Sequence, residues 1–137
     1  IERDINQYNV GSKVVMYGEI TDYDVLKSIY DKCILAVSPK QAGLSVLQSL
    51  AHGVPFATEI DAVSGGEIEN ITDGETGFKV GLGARYENIF QLLCGLQDIA
   101  DEELIRMSKA TYDHYQEYAS AKAYCVSLLR AIDVPVI

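Results

Sequence analysis

Basic residues are scarce in this sequence. Eleven Lys and Arg stand against 20 Asp and Glu, for a formal net charge of −9. A nucleic-acid-binding face needs clustered Lys and Arg to neutralise phosphates, so that class of partner is excluded. Long hydrophobic runs are missing too. None reaches the roughly 18–20 residues that span a bilayer. The opening Ile1-Glu2-Arg3-Asp4 has no initiator Met, no basic stretch and no apolar core. It is therefore not a signal peptide, and it reads as the cut edge of a longer polypeptide.

Cysteine is sparse and odd in number: Cys33, Cys94 and Cys125. They are widely spaced and form no Cys-x-x-Cys pair, which argues against a disulfide framework or a zinc site. Each has apolar neighbours and reads as a small buried hydrophobe, in keeping with a reducing cytoplasm. The only histidines, His52 and His114, lack ligand-like spacing, so no metal is expected.

What is present suits one ordinary domain. The chain has 137 residues, 48% of them hydrophobic, enough for a core. Residues 1–9 read as the end of a helix. Lys13-Val14-Val15-Met16-Tyr17-Gly18 reads as a buried strand closed by Gly. Thr21 can cap a following helix, with Asp22 and Asp24 at its positive end and Val25, Leu26, Ile29 and Tyr30 facing inward. Cys33 to Val37 is continuously apolar, as in a strand covered on both faces. Ser38 to Gly43 is a loop. Leu44 to His52 is a helix stopped by Gly53 and Pro55, with Leu47, Leu50 and Ala51 against the sheet. Phe56-Ala57-Thr58 is a third strand, and Ser64-Gly65-Gly66-Glu67 opens a short helical piece. Asp73 to Gly77 is a turn, Phe78-Lys79-Val80 a last strand. Helices are expected over about 84–96 and from Asp101 to near Ile132, with a break near Ala119-Ser120. Tyr112, Tyr115 and Tyr118 recur at helical spacing, as core or interface residues do. Strands alternating with helices predict an open α/β fold, a parallel sheet wrapped on both faces.

In such sheets ligands bind at the carboxyl ends of strands. The turn after Val37 delivers Gly43, Leu44 and Ser45 to a helix N-terminus, whose free N–H groups attract anions. Gly43 lets a ligand approach the backbone. From Cys33 to Thr58 there is no Asp or Glu, and Lys40 is the only formal charge. An even scatter of 20 acids would have placed several there. Gln48, one turn into the helix, shares a face with Leu44 and Ser45 and could reach ribose hydroxyls. Taken alone, the missing acids also suit a buried strand, and Gln48 an ordinary solvated position.

The run Ser38-Pro39-Lys40-Gln41-Ala42-Gly43-Leu44-Ser45-Val46-Leu47-Gln48-Ser49-Leu50-Ala51-His52-Gly53-Val54-Pro55-Phe56 resembles the donor-domain signature of group 1 glycosyltransferases of GT-B fold. That signature runs Pro-Ser, a Glu, Gly-Phe-Gly-Leu, a second Glu, Ala-Met-Ala, then Gly-x-Pro-Val. Val14 to Gly18 resembles the family's strand ending in Gly. Gly65 to Phe78 resembles its Gly-Gly-x-x-Glu and Asp-Gly-x-x-Gly run. Order and spacing agree from about residue 13 to residue 80.

The resemblance implies a Rossmann-like half of a GT-B fold with a helical C-terminal tail. It implies a retaining transferase of polysaccharide-biosynthesis type, moving a sugar from a nucleotide-sugar such as a UDP- or GDP-sugar to a glycan or lipid-linked acceptor. No metal or other cofactor is implied. The implied setting is cytoplasmic, with peripheral association at the inner membrane face. The donor-binding set carried over is Gly18, Lys40, Gln41, Gly43, Leu44, Ser45, Gln48 and Glu69, and no catalytic residue is assigned. The family's first Glu, which touches the donor sugar, maps to Lys40, or to Gln41 if the loop is shifted by one. Its second, which touches the ribose, maps to Gln48. Both carboxylates are thus replaced. Lys40 inverts the charge and is expected to pair with a donor phosphate. The family's phosphate-binding Arg and Lys lie upstream of the first matched strand, and its acceptor domain lies outside this sequence. Residues 1–137 therefore read as one domain lacking its first strand and its partner, inactive alone. Two other readings stand beside this one: a degenerate domain that binds nucleotide or protein without catalysis, and a GT-B-like nucleotide-sugar epimerase.

Overall fold

A computed structural model describes residues 2–81 and 87–132. The helices are α1 (Glu2–Gln7), α2 (Tyr23–Tyr30), α3 (Leu44–Ala51), α4 (Glu87–Gly95), α5 (Asp101–His114) and α6 (Ala121–Ala131). The strands are β1 (Ala36–Val37), β2 (Phe56–Glu59) and β3 (Gly77–Val80), all parallel, in the order β1-β2-β3. Ala36 pairs with Phe56, and Phe56 with Gly77. The result is a Rossmann-like α/β fold: an open parallel sheet flanked by helices, with a helical C-terminal tail.

Phe56 anchors one face. It packs with Ala42, Val46, Leu50 and Ile71 in a fully buried cluster, joined at its margin by Ala36, Ala62, Ile68 and Tyr115. The inward face of α3 is therefore Val46, Ser49 and Leu50. Of the expected Leu47, Leu50 and Ala51, only Leu50 is fully buried. On the opposite face Leu35, Phe78, Leu96, Leu104 and Met107 close around a small void. Alternation along a strand explains the split, since Phe56 and Ala57 must point to opposite sides.

The Gly53 stop of α3 forms as expected. Gly53 takes a positive φ of 68°, its N–H donates to Leu50 O and that of Val54 to Ser49 O. That is the pairing in which a left-handed Gly closes a helix end. The long C-terminal helix breaks at Ser120 after a π-helical turn over Tyr115–Ala119. Ser120 Oγ caps α6 by accepting from Ala123 N at 3.1 Å.

Four expectations are corrected. Residues 13–18 form no strand. Val14, Val15, Met16 and Tyr17 are exposed, at 38–70%. The apolar pattern is there, but among the described residues no neighbouring strand meets it, and a lone extended segment cannot complete a ladder. The expected Cys33–Val37 strand shrinks to two residues. Leu35 lies opposite Pro55 in the register, and Pro has no N–H to continue the pairing. β1 is thus an edge strand, with Ile34 and Val37 exposed. All three cysteines are exposed, as are the apolar neighbours Ile34, Leu93 and Tyr124 beside them. Finally, α2 is capped by Asp22, not Thr21. Asp22 Oδ1 accepts from Asp24 N at 2.9 Å and Val25 N at 3.0 Å. Val25 is exposed, whereas Leu26, Ile29 and Tyr30 are half-buried.

Gly77 is the tightest point of the sheet. A Cβ there would lie 2.9 Å from both the backbone N and C of Phe56, so the strand cannot accept one without moving. Gly77→Ala is expected to cost about 1–3 kcal/mol or more through overpacking. Chemical denaturation of the two proteins checks this, and equal midpoints would refute it.

Candidate functional site

The loop from Ser38 to Gly43 joins β1 to α3 at the carboxyl edge of the sheet. Residues 58–63 hold it along its length. Thr58 Oγ1 donates to Ser38 O at 2.8 Å. Glu59 N donates to Pro39 O and Val63 N to Lys40 O, each at 3.0 Å, while Ala42 N donates to Val63 O at 2.9 Å. Gln41 pairs with Val63 as an isolated parallel bridge. Two loops are laced into one edge, so the start of α3 has a fixed position.

That start is open. Gly43 precedes α3 with φ −99°, and no side chain caps the helix. A Cβ on Gly43 would meet nothing within 4 Å, so the side of the backbone it would point to is open. Leu44, Ser45 and Gln48 are exposed. An uncapped and exposed N-terminus suits an anionic group.

Lys40 already faces two carboxylates. Its Nζ forms an ion pair with Glu59 Oε2 and lies 3.3 Å from both carboxylate oxygens of Asp61. The Glu59 side chain is 4% exposed, against 56% for Lys40 and 45% for Asp61. The hydrogen bond to Glu59, supported by Asp61, raises the Lys40 pKa above its ordinary value. Glu59 and Asp61 escaped the sequence reading, although a signal existed: the acid-free run ends at Thr58 and the next residue is Glu59.

Glu69 sits exposed on the 3-10 turn Glu67–Asn70, which packs against α3. The turn is built by Ser64 and Glu67. Ser64 Oγ accepts from Gly66 N and Ile68 N at 3.1 Å, and Glu67 Oε2 accepts from Gly65 N at 2.8 Å. Backbone N–H groups, first Glu67's own and then that of Gly65, lower the Glu67 pKa. Asn70 ties the turn to α5 through His114 Nε2 at 3.1 Å. The structure thus brings Lys40, Gln41, Gly43, Leu44, Ser45 and Gln48 onto one loop and helix, with Glu69 on a turn packed beside them. Gly18 is not joined to them: its φ is 66°, and no described hydrogen bond links it to α3 or its loop.

Gln48 also borders an open cleft of about 570 Å³, shared with Tyr23, Leu47, His52, Tyr115 and Tyr124. His52 stacks on Tyr30 with ring centroids 4.7 Å apart and planes inclined by 4°. This aromatic side of α3 was not foreseen. Its residues come from three helices and the π turn, and no local pattern connects them.

Two outcomes follow for the ionic contacts. The Lys40 contribution is expected to persist below the ordinary lysine pKa of 10.5 and to disappear as pH rises through its raised value. Removing Lys40 leaves Glu59 buried without its cation, so Lys40→Met is expected to lower the melting temperature. The Lys40→Met/Glu59→Gln double variant should lose less than the sum of the two single losses. Additive losses would mean the pair is not coupled. The Glu67 contribution has the opposite sign. It is present above the ordinary carboxylate pKa of 4.5 and is lost as pH falls through the lowered one. Glu67→Gln should therefore flatten the acid limb of the stability curve, and an unchanged limb would refute it.

No family model and no curated protein matches the sequence. Solved structures do match. Among them is the C-terminal domain of a glycosyl transferase group 1 family protein (LpcC) from Francisella tularensis, with a TM-score of 0.66 and 19% identity. The match covers 88% of this chain and 60% of that one, so the chain spans less than two thirds of its neighbour's length. At that identity the likeness shows the fold alone: the chain shares the Rossmann-like fold of that C-terminal domain.

Proposed function

We propose that this chain is the donor-binding half of a retaining glycosyltransferase, with its nucleotide-sugar at the open start of α3. The carrying observation is the uncapped helix end behind Gly43, at the carboxyl edge of a parallel sheet, within a sequence that resembles the donor signature. In this reading the donor diphosphate lies against the N–H groups of Gly43, Leu44 and Ser45. They stabilise the negative charge that grows on the leaving nucleoside diphosphate. Gln48 donates and accepts hydrogen bonds with the ribose hydroxyls. Glycosyl transfer then goes to a hydroxyl of a glycan or lipid-linked acceptor, and no cofactor takes part.

The helix end by itself is worth only about 0.3–1 kcal/mol per favourable charge. Lys40 is committed to Glu59 and Asp61. In this reading cations outside the α3 loop neutralise the diphosphate, and a further domain binds the acceptor. The unpaired edge of β1 and the exposed apolar residues of Val14–Tyr17 are where further strands of the same sheet would join. A second reading, a domain that binds nucleotide without catalysis, is favoured by one observation: Lys40 and Gln48 stand where the family signature has carboxylates.

The test is calorimetry of the full-length protein with UDP, GDP and their sugar conjugates. One base is expected to bind, and at a hundredfold excess over Kd it should stabilise the fold by about 2.7 kcal/mol. Gly43→Ala places a Cβ beside the start of α3 where nothing lies within 4 Å. It should cost the fold only a few tenths to about 1 kcal/mol as a poorer N-cap and weaken nucleotide binding by about tenfold. Silence from every nucleotide would sink the donor-site reading, whereas binding without sugar turnover would favour the non-catalytic one.

A further inference from the structure

α3 sends Val46, Ser49 and Leu50 into the core, and another flank of the same helix borders the open cleft of about 570 Å³. That size lies within the range of small-ligand sites, about 300–1,000 Å³. Tyrosine rings reach it from three elements: Tyr23 at the start of α2, Tyr115 on the π turn and Tyr124 on α6. Local structure fixes each. The Asp22 cap sets the start of α2, and the Ser120 cap sets the start of α6. His52, stacked on Tyr30, also meets the Tyr23 ring at 5.8 Å between centroids. The π turn supplies both Tyr115 and the short side chain of Ala119, and π turns are rare and frequently stand at functional sites.

The chemistry of the lining narrows the occupant. No Asp, Glu, Lys or Arg borders the cleft. Among the described residues, the hydroxyls of Tyr23, Tyr115 and Tyr124 and the ring nitrogens of His52 make no hydrogen bond. An apolar peptide helix laid here would strip water from these groups and return no partner. A charged ligand would find no counter-ion, and an anion would also meet the field of a protein with net charge −9. A pyranose suits both features. The C–H groups of its ring pack on tyrosine faces, and its hydroxyls exchange hydrogen bonds with the tyrosine hydroxyls. Rings contributed by three separate elements suit a chain of such units.

We propose that the cleft bounded by α2, α3, the π turn and α6 binds an uncharged oligosaccharide segment. Tyr23 and Tyr124, exposed at 65% and 69%, are its stacking residues, and His52 positions Tyr23. Gln48, where the cleft meets the face of α3 that carries Leu44, stays with the donor. The oligosaccharide and the nucleotide therefore occupy different places, and the cleft does not depend on the donor-site reading.

The experiment is calorimetry of the full-length protein with maltohexaose, cellohexaose and mannohexaose as neutral probes and hexagalacturonate as the acidic one. At least one neutral hexasaccharide is expected to bind, about tenfold more tightly than the acid. Tyr23→Ala and Tyr124→Ala change exposed side chains, and a melting curve of each reports that it is folded. Each should weaken that hexasaccharide about tenfold and leave UDP and GDP binding as it was. Tyr124→Phe, which keeps the ring, should lose less than Tyr124→Ala. Four results each overturn the cleft: no neutral hexasaccharide binds, hexagalacturonate binds as tightly, both alanine variants bind as the unaltered protein does, or UDP or GDP displaces the bound hexasaccharide. Hexasaccharide binding in a protein that takes no nucleotide supports the cleft and sinks the donor-site reading.

Discussion

The lacing of residues 38–42 to residues 58–63 is the constraint on which the rest of the site depends. Two loops that would otherwise move separately share hydrogen bonds from Ser38 to Ala42 and one ion pair whose carboxylate is buried. The sheet below sets their spacing, because Ala36 and Phe56 are partners in its register. What begins as strand pairing thus continues past the ends of the strands. The start of α3 inherits a fixed direction from it, and Val46 and Leu50 carry that direction into the core around Phe56.

The same arrangement separates charge from charge-free backbone. The stretch leading into α3 carries no acid, and the acids appear immediately afterwards in β2 and the turn beyond it. Lys40 bridges the two regions. A pair with one buried partner is poor evidence for net stability, since desolvation of the Glu59 carboxylate offsets much of the attraction. Its effect is geometric: with Glu59 held inside the edge, Lys40 has one favourable place to be.

Much of the architecture was legible in the sequence. β2 and β3 announced themselves by short apolar runs bounded by Gly and Pro, and the Gly53 closure and the Ser120 break fell where turn chemistry placed them. The start of α3 behind Gly43 could be read because it depends on local order alone. What could not be read was pairing at a distance. Residues 13–18 look like a strand because periodicity reports the side chains and says nothing of a neighbour. Lys40 looked like a free cation because Glu59 and Asp61 reach it only once β1 and β2 lie side by side. Asp22 prevailed over Thr21 as the α2 cap by one residue, a difference within the uncertainty of any helix boundary. The cysteines misled because apolar neighbours do not guarantee burial: Ile34, Leu93 and Tyr124 are exposed with them.

The bare edge of β1, with the uncovered apolar side chains of residues 14–17, also bears on handling the chain by itself. Open strand edges beside greasy surface are templates for self-association. A net charge of −9 gives every molecule a long-range repulsion, which salt screens. Colloidal behaviour should therefore turn on ionic strength: dispersed in dilute buffer, clumping as salt rises. The surplus of acid with which the sequence opened is then a guard on that exposed edge.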